Sequence, residues 1–197
     1  MPSGHTHDRV TLWSLPVVAG LTFNQTRSSN LTLLVAGGFL LGGLMFGPDL
    51  DIYSRQYQRW GVLRWIWLPY QKSLHHRSLL SHGPLLGTTI RLVYFAIWVA
   101  LLGTIGIGVW AAIRQMSGDA QNWQTLAARD IDGTIAWIER SRKIHLSEWL
   151  ALFIGLELGA MSHSLCDWGG SAYKRFRKQG FKGVLPPRTR KKRKRRR

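Results

Sequence analysis

Cysteine is nearly absent, with Cys166 the single thiol in 197 residues. One cysteine excludes an intramolecular disulfide framework and gives no sign of an oxidising compartment. Beside His163 and Asp167 it reads as small buried filler, with ligation through the thiolate as the competing reading. Acidic residues are scarce as well, 10 against 27 Lys and Arg, and Lys174 to Arg197 holds 14 basic side chains and no acidic one. The other 173 residues carry 13 basic and 10 acidic side chains, a net of +3, so most of the formal charge of +17 belongs to the tail. Met1 to Asp8 has no basic n-region and no cleavage signature follows it, so no secretory leader is expected.

What the chain has in quantity is apolar sequence, 45% of its residues, gathered into segments. Leu31 to Phe46 carries no charge and stops at Gly47-Pro48. Its glycines at 38 and 42, and at 43 and 47, are spaced to let a neighbouring helix approach closely. Leu92 to Ile113 gives 22 uncharged residues, enough for a span of roughly 20, with Arg91 able to snorkel from its start. Trp149 to Ser164 is apolar except for Glu157, which has to face protein, a cavity or a cation. Val10 to Phe23 contains Pro16 and Gly20 and is short for a span, so it reads as a buried or re-entrant helix.

Between these segments, Ile52 to Tyr70 is dense in Arg, Tyr and Trp and suits a membrane headgroup region. Nucleic-acid stacking, or an aromatic core with solvated arginines, would use the same residues. Arg114 to Glu148 balances 5 basic against 5 acidic side chains and contains an amphipathic pattern over Trp123 to Arg140. The expected architecture is all-α: a helical membrane bundle of three to four apolar helices with a His/Asp metal site at one end. Residues 1–173 form that domain and 174–197 a disordered polybasic tail.

The candidate ligands sit at the edges of the apolar segments. Of seven histidines, three lie in Gln71 to Pro84, QKSLHHRSLLSHGP. His5 and His7 alternate, and an extended backbone would put both rings on one side, with Asp8 adjacent; a solvated terminus is the alternative. Asp49 and Asp51 would likewise share a side of an extended stretch with Leu50 turned away, unless Asp49 caps a helix and Arg55 neutralises one of them. His75 and His76 cannot both face one point, and His76 is the better placed, with His82 beyond Ser81. His163 and Asp167 are four apart and share a helical face, whereas His145 is isolated and reads as surface. The proposed metal set is thus His5, His7, Asp49, Asp51, His76, His82, His163 and Asp167, with Arg77 as an anion holder.

Chain parity supports that set. If Leu31 to Phe46 crosses toward Asp49, the segment after His82 leaves and the segment before His163 returns to the same end. His5 and His7 join if the first segment crosses or folds back. Ile52 to Pro84 has five basic and no acidic residues, so the positive-inside rule places the site and tail in the cytoplasm of a multi-pass membrane protein.

His5, Pro48-Asp49-Leu50-Asp51, His76-Arg77 through Ser81-His82, and Ser162-His163 through Asp167 together resemble a family described as membrane-bound metal-dependent hydrolases. They resemble more closely an uncharacterised bacterial, largely cyanobacterial, family of metal-binding proteins, over the chain up to about Trp168. The resemblance implies that Asp49 and Asp51 match a Pro-Asp-x-Asp element, His76 and His82 a His-Arg-x-x-x-x-His element, and His163 with Asp167 the closing pair. Ser78 stands where the hydrolases often have Gly or Thr, and Gly83 where Ser is frequent, which weakens transfer of a catalytic assignment.

His and carboxylate donors without a thiolate cluster fit a divalent metal, Zn ahead of Mn or Fe. The expected activity is hydrolysis of a phosphoester or lipid-linked substrate, with Asp49 or Asp51 as bridging ligand or base and Arg77 on the anion. A non-catalytic membrane metal-binding or scaffold protein is the rival. The expected partners are membrane lipid and, through the tail, anionic lipid or nucleic acid.

Overall fold

A computed structural model describes residues 4–74, 76 and 78–180 of the chain. His75, Arg77 and residues 181–197 of the polybasic tail lie outside the described residues, whereas residues 174–179, expected as the start of that disordered tail, continue the last helix, Leu146–Gln179. The chain opens with a pair of helices, α1 (Gly4–Thr26) and α2 (Ser29–Leu44). Ser28 caps α2, its hydroxyl accepting the Leu31 N–H at 3.3 Å. A 3₁₀ turn at Pro48–Asp51 leads into α3 (Arg55–Gln58), a second 3₁₀ stretch at Gly61–Trp67, α4 (Leu68–Ser73) and α5 (Leu79–His82). Three long helices follow: α6 (Leu86–Met116), α7 (Trp123–Ile144) and α8 (Leu146–Gln179).

Among the described residues, three segments are long and apolar enough to cross a membrane: Ser29–Asp51, Leu86–Met116 and Leu146–Gln179, with mean hydropathies of 1.8, 2.2 and 1.3. The expected all-α bundle of apolar helices is therefore present. α1 is not among the three. It lies along α2 and α8, which brings its first turn to the end where α2 finishes.

Glycine holds the bundle together. On α2, a Cβ at Gly38 would meet the Leu152 carbonyl of α8 at 2.6 Å, and one at Gly42 would strike the Leu156 carbonyl. From α8, a Cβ at Gly155 would strike the Val35 carbonyl and one at Gly159 the Phe39 carbonyl. Backbone therefore rests on backbone, a spacing only glycine allows. Gly43, on another side of α2, takes α1, since a Cβ there would lie 2.6 Å from Thr11 Cγ2.

The Arg/Tyr/Trp stretch divides between core and surface. Tyr57, Ile66, Trp67 and Tyr70 are buried with Phe46, Leu50 and Leu156, and Tyr94, Phe95 and Trp98 of α6 pack against them. Trp67 anchors this node, meeting Phe46 edge-on at a 5.5 Å centroid separation and stacking near-parallel with Phe95 at 6.2 Å. Tyr53 and Trp65 stay exposed. The node thus works first as the packing that fixes the segment between α2 and α6, because its rings lie against Tyr94 and Phe95 of α6 and Leu156 of α8.

Two local expectations change. Residues 5–7 are helical, not extended, so His5 and His7 diverge: His7 is buried and His5 is exposed. Asp49-Leu50-Asp51 is a 3₁₀ turn, and Leu50 is its fully buried residue.

Candidate metal centre

Four chain segments converge at one end of the bundle. α1 supplies His7, the turn after α2 supplies Asp49 and Asp51, the α4–α5 region supplies His76 and His82, and α8 supplies His163 and Asp167. Among the described residues two groups form there, His7 with His163 and Asp167, and Asp49 with His76 and His82, each offering one ligand atom per residue within 4.8 Å of the others.

Asp49 joins the two groups. Its Oδ2 lies 3.1 Å from His163 Nε2 and its Oδ1 lies 3.7 Å from His82 Nε2. The second separation is too long for a hydrogen bond, and both imidazole nitrogens are buried without a hydrogen-bond partner among the described residues. The outer nitrogen of each ring is held: His82 Nδ1 lies 2.8 Å from Ser81 Oγ, and His163 Nδ1 lies 3.3 Å from Gln56 Nε2. Donors about 2.0–2.1 Å from a tetrahedral ion are themselves about 3.3 Å apart, and the two separations lie on either side of that value. His82, with one nitrogen on the Ser81 hydroxyl and the other open, has the usual arrangement of a metal-binding histidine, whereas the Gln56 amide donates to His163 Nδ1 and places the proton of that neutral ring on Nε2.

His7 stacks on His163 with centroids 3.8 Å apart, and its Nε2 lies 3.4 Å from Asp167 Oδ1. Burial, and then the adjacent His163, lowers the His7 pKa against the pull of Asp167 and Asp49, which favours the neutral ring that coordination needs. Its Nδ1 is a further buried atom without a partner among the described residues, as is Asp51 Oδ2. Each such atom costs about 1–3 kcal/mol when nothing satisfies it. Four of them at one end of one bundle fit residues built to receive a cation.

The remaining carboxylates act around this set. Asp51 Oδ1 lies 2.9 Å from His76 Nδ1, which holds that ring and leaves its other nitrogen for the centre. Asp8 turns away from it. Arg59 engages both of its oxygens, at 2.9 and 2.7 Å, and Arg55 adds a contact at 3.2 Å, so Arg55 neutralises Asp8 and not Asp49 or Asp51.

Burial pushes the Asp8 carboxyl up, but the Arg59 hydrogen bonds and the charges of Arg59 and Arg55 outweigh it and hold the group below the ordinary carboxylate range. Because the folded pKa is depressed, this stabilisation is fully present above the unfolded value of about 3.9. It disappears as pH falls through the folded pKa. Asp8→Asn is expected to lose about 1–3 kcal/mol at pH 7. Unfolding midpoints of both proteins in detergent, measured from pH 7 down to pH 3, should converge at the acid end.

Of the other sequence candidates, His5 lies outside both groups and is exposed. Arg77 falls outside the described residues. Cys166 is half-buried on α8 and belongs to neither group, and His145 is exposed beside Glu148 at 3.4 Å. Gln56 is the residue that motif reasoning missed. It is buried, its Nε2 donates to the Gly43 carbonyl at 2.9 Å, and its Oε1 accepts the Asp49 N–H at 3.2 Å. One amide thereby ties α2, the Asp49 turn and His163 together. A glutamine amid arginines and tryptophans carries no spacing signal that could have announced this.

A cavity of about 280 Å³ adjoins the centre, and its lining includes His7, Asp49, His76, His163 and Asp167 together with Tyr53, Arg55 and Gln58.

These features define a membrane-spanning, all-α protein with clustered His and Asp side chains able to chelate a metal ion. The family model described as "Uncharacterized metal-binding protein (DUF2227)" matches residues 2–177, and the chain belongs to that family. It is also similar to an uncharacterized protein of Aquifex aeolicus (strain VF5), 41% identical over 58 residues, covering 29% of this chain and 40% of that protein. The match spans well under two thirds of that relative's length. No solved structure matches the chain.

Proposed function

We propose that this protein is a membrane-embedded, metal-dependent hydrolase acting on a phosphoester or a lipid-linked ester. The observation that carries the reading is the cavity of about 280 Å³, which touches ligands of both groups and so leaves the centre an open face. A non-catalytic metal-binding or scaffold protein needs no such opening. His7, His163 and Asp167 would hold one ion and Asp49, His76 and His82 a second, with Asp49 shared and Asp51 positioning His76. A bound Zn, Mn or Fe supplies an acidified water and polarises the ester oxygen.

The chain's own residues then orient the substrate. Arg55, at the cavity rim and 42% exposed, offers a guanidinium to an anionic ester, and Arg77 is proposed to do the same. Asp49 or Asp51 is proposed to accept the proton of the attacking water. The excess of basic over acidic residues in Ile52 to Pro84 supports placing this end of the bundle in the cytoplasm.

The test uses the full chain in phosphatidylcholine nanodiscs, loaded with Zn, Mn or Fe and given a panel of soluble and lipid phosphoesters and carboxylic esters. Turnover that chelation abolishes and metal restores is the expected result. Stoichiometric metal with no turnover across the panel would select the scaffold reading.

A further inference from the structure

α6 starts four residues after His82 and runs for 31 residues, about 46 Å at 1.5 Å per residue, so α7 lies at the end of the bundle remote from the metal centre. It joins the end of α6 to the start of α8, two helices long and apolar enough to cross a membrane. A bilayer that holds both has one of its faces at the level of α7.

α7 is divided lengthwise. Arg129, Asp132, Glu139, Arg140 and Lys143 share one half of its circumference. The other half begins with Leu126 and Ala127, its two buried residues, which pack with Ile107 and Ala111 of α6. Both partners lie inside the uncharged run of α6, so this face of α7 is set against membrane-crossing sequence from the start. The face continues past the contact. Ile131, Ile135 and Ile138 follow Ala127 at spacings of four, four and three, and Trp137 follows Leu126 by eleven residues, about three turns. Ile135, Trp137 and Ile138 are exposed, Trp137 at 66%. The one acidic residue on this face, Asp130, lies 3.7 Å from Arg114 near the end of α6. At its far end α7 is tied to α8, where Trp149 Nε1 donates to Ser141 Oγ at 3.3 Å.

Val109, Trp110 and Ile113, the sequence neighbours of Ala111, are exposed within the α6 span, where lipid surrounds them. The apolar face of α7 extends that lipid-facing surface sideways, and its tryptophan suits the boundary between acyl chains and headgroups. We propose that α7 lies along the membrane surface remote from the metal centre, with Ile131, Ile135, Trp137 and Ile138 among the acyl chains below the headgroups and its charged half in water. Its seven charges, four basic and three acidic, nearly cancel, so zwitterionic lipid is a sufficient partner. The inference does not rest on the hydrolase reading.

Cys166→Ser frees the full chain of its single thiol, and cysteines placed one at a time from 131 to 143 then take a nitroxide label in phosphatidylcholine nanodiscs. Collisions with oxygen, which concentrates in the bilayer, and with water-soluble chromium oxalate should alternate along the chain with the 3.6-residue period of a helix. Labels at Ile131, Thr134 and Ile138 should lose contact with chromium, whereas those at Asp132, Ala136 and Lys143 keep it. The unsubstituted chain gives a second reading. Phosphatidylcholine carrying a diazirine in its acyl chain should mark Trp137 and Ile138 on photolysis and leave Asp132 and Lys143 unmarked. Chromium contact all round the helix would put α7 in water, and exclusion of both reagents from the Ile131–Ile138 face would mean that protein, a second copy or another chain, covers it. Either result overturns the proposal, as does an unsubstituted chain that takes no acyl-chain label on α7.

Discussion

Asp49→Ala is expected to strip the protein of metal at both groups, whereas His76→Ala empties one. The asymmetry follows from the two oxygens of Asp49, one 3.1 Å from His163 and the other 3.7 Å from His82, while His76 belongs to a single group. Removing a partner that merely orients a ligand typically lowers metal affinity about 10–100-fold, and removing a shared ligand should exceed that. Elemental analysis after purification at fixed metal concentration reads the result directly. Thermal unfolding gives a second readout, because a ligand present at about 1,000 times its Kd stabilises the folded state by about 4 kcal/mol. The wild-type midpoint should rise on adding Zn and that of Asp49→Ala should not. Metal retained at full stoichiometry in Asp49→Ala would show that the two groups do not share this carboxylate.

Much of this centre could be read from spacing, and the reason is topological. Apolar segments that each run the length of the bundle return the chain to one end after an even number of passages. Asp49, His82 and His163 therefore meet however the loops between them are built. His163 and Asp167 were legible for a second reason, since a spacing of four on a helix is a geometric statement by itself.

His5 and His7 show where such reading fails. The same alternation that joins two rings on a strand separates them on a helix, and the polar residues before Val10 do not say which applies. In the structure α1 begins at Gly4, ahead of the apolar run, so only His7 turns inward. The region from Ile52 to Tyr70 was illegible for another cause. Its turns of four to seven residues are too short to show a period, and Trp67 is buried while Trp65, two positions away, is exposed. Gln56 combines both difficulties, since its partners Gly43, Asp49 and His163 come from three separate segments.

The second large effect expected is at the helix crossing that supports all of this. Gly42→Val and Gly159→Val should each destabilise the protein by at least about 3 kcal/mol, the upper end of what overpacking costs. At Gly42 the new Cβ strikes the Leu156 carbonyl, and at Gly159 it strikes the Phe39 carbonyl and approaches the Gly43 nitrogen at 2.6 Å. These obstacles are backbone on both sides, so no side chain can swing away and α2 and α8 have to separate. Separation moves Asp49, four residues beyond Met45 at the end of α2, away from His163 on α8. The variants should therefore lose metal as well as stability, although neither glycine is itself a ligand. Gly103→Val and Gly106→Val on α6 provide the contrast, because a Cβ at either position meets nothing. Replacing an unencumbered helical glycine changes only intrinsic propensity, by less than about 1 kcal/mol. Unfolding in detergent, with bound metal measured on the same samples, separates the two pairs. Equal loss in both would mean that the α2–α8 contact does not carry the centre.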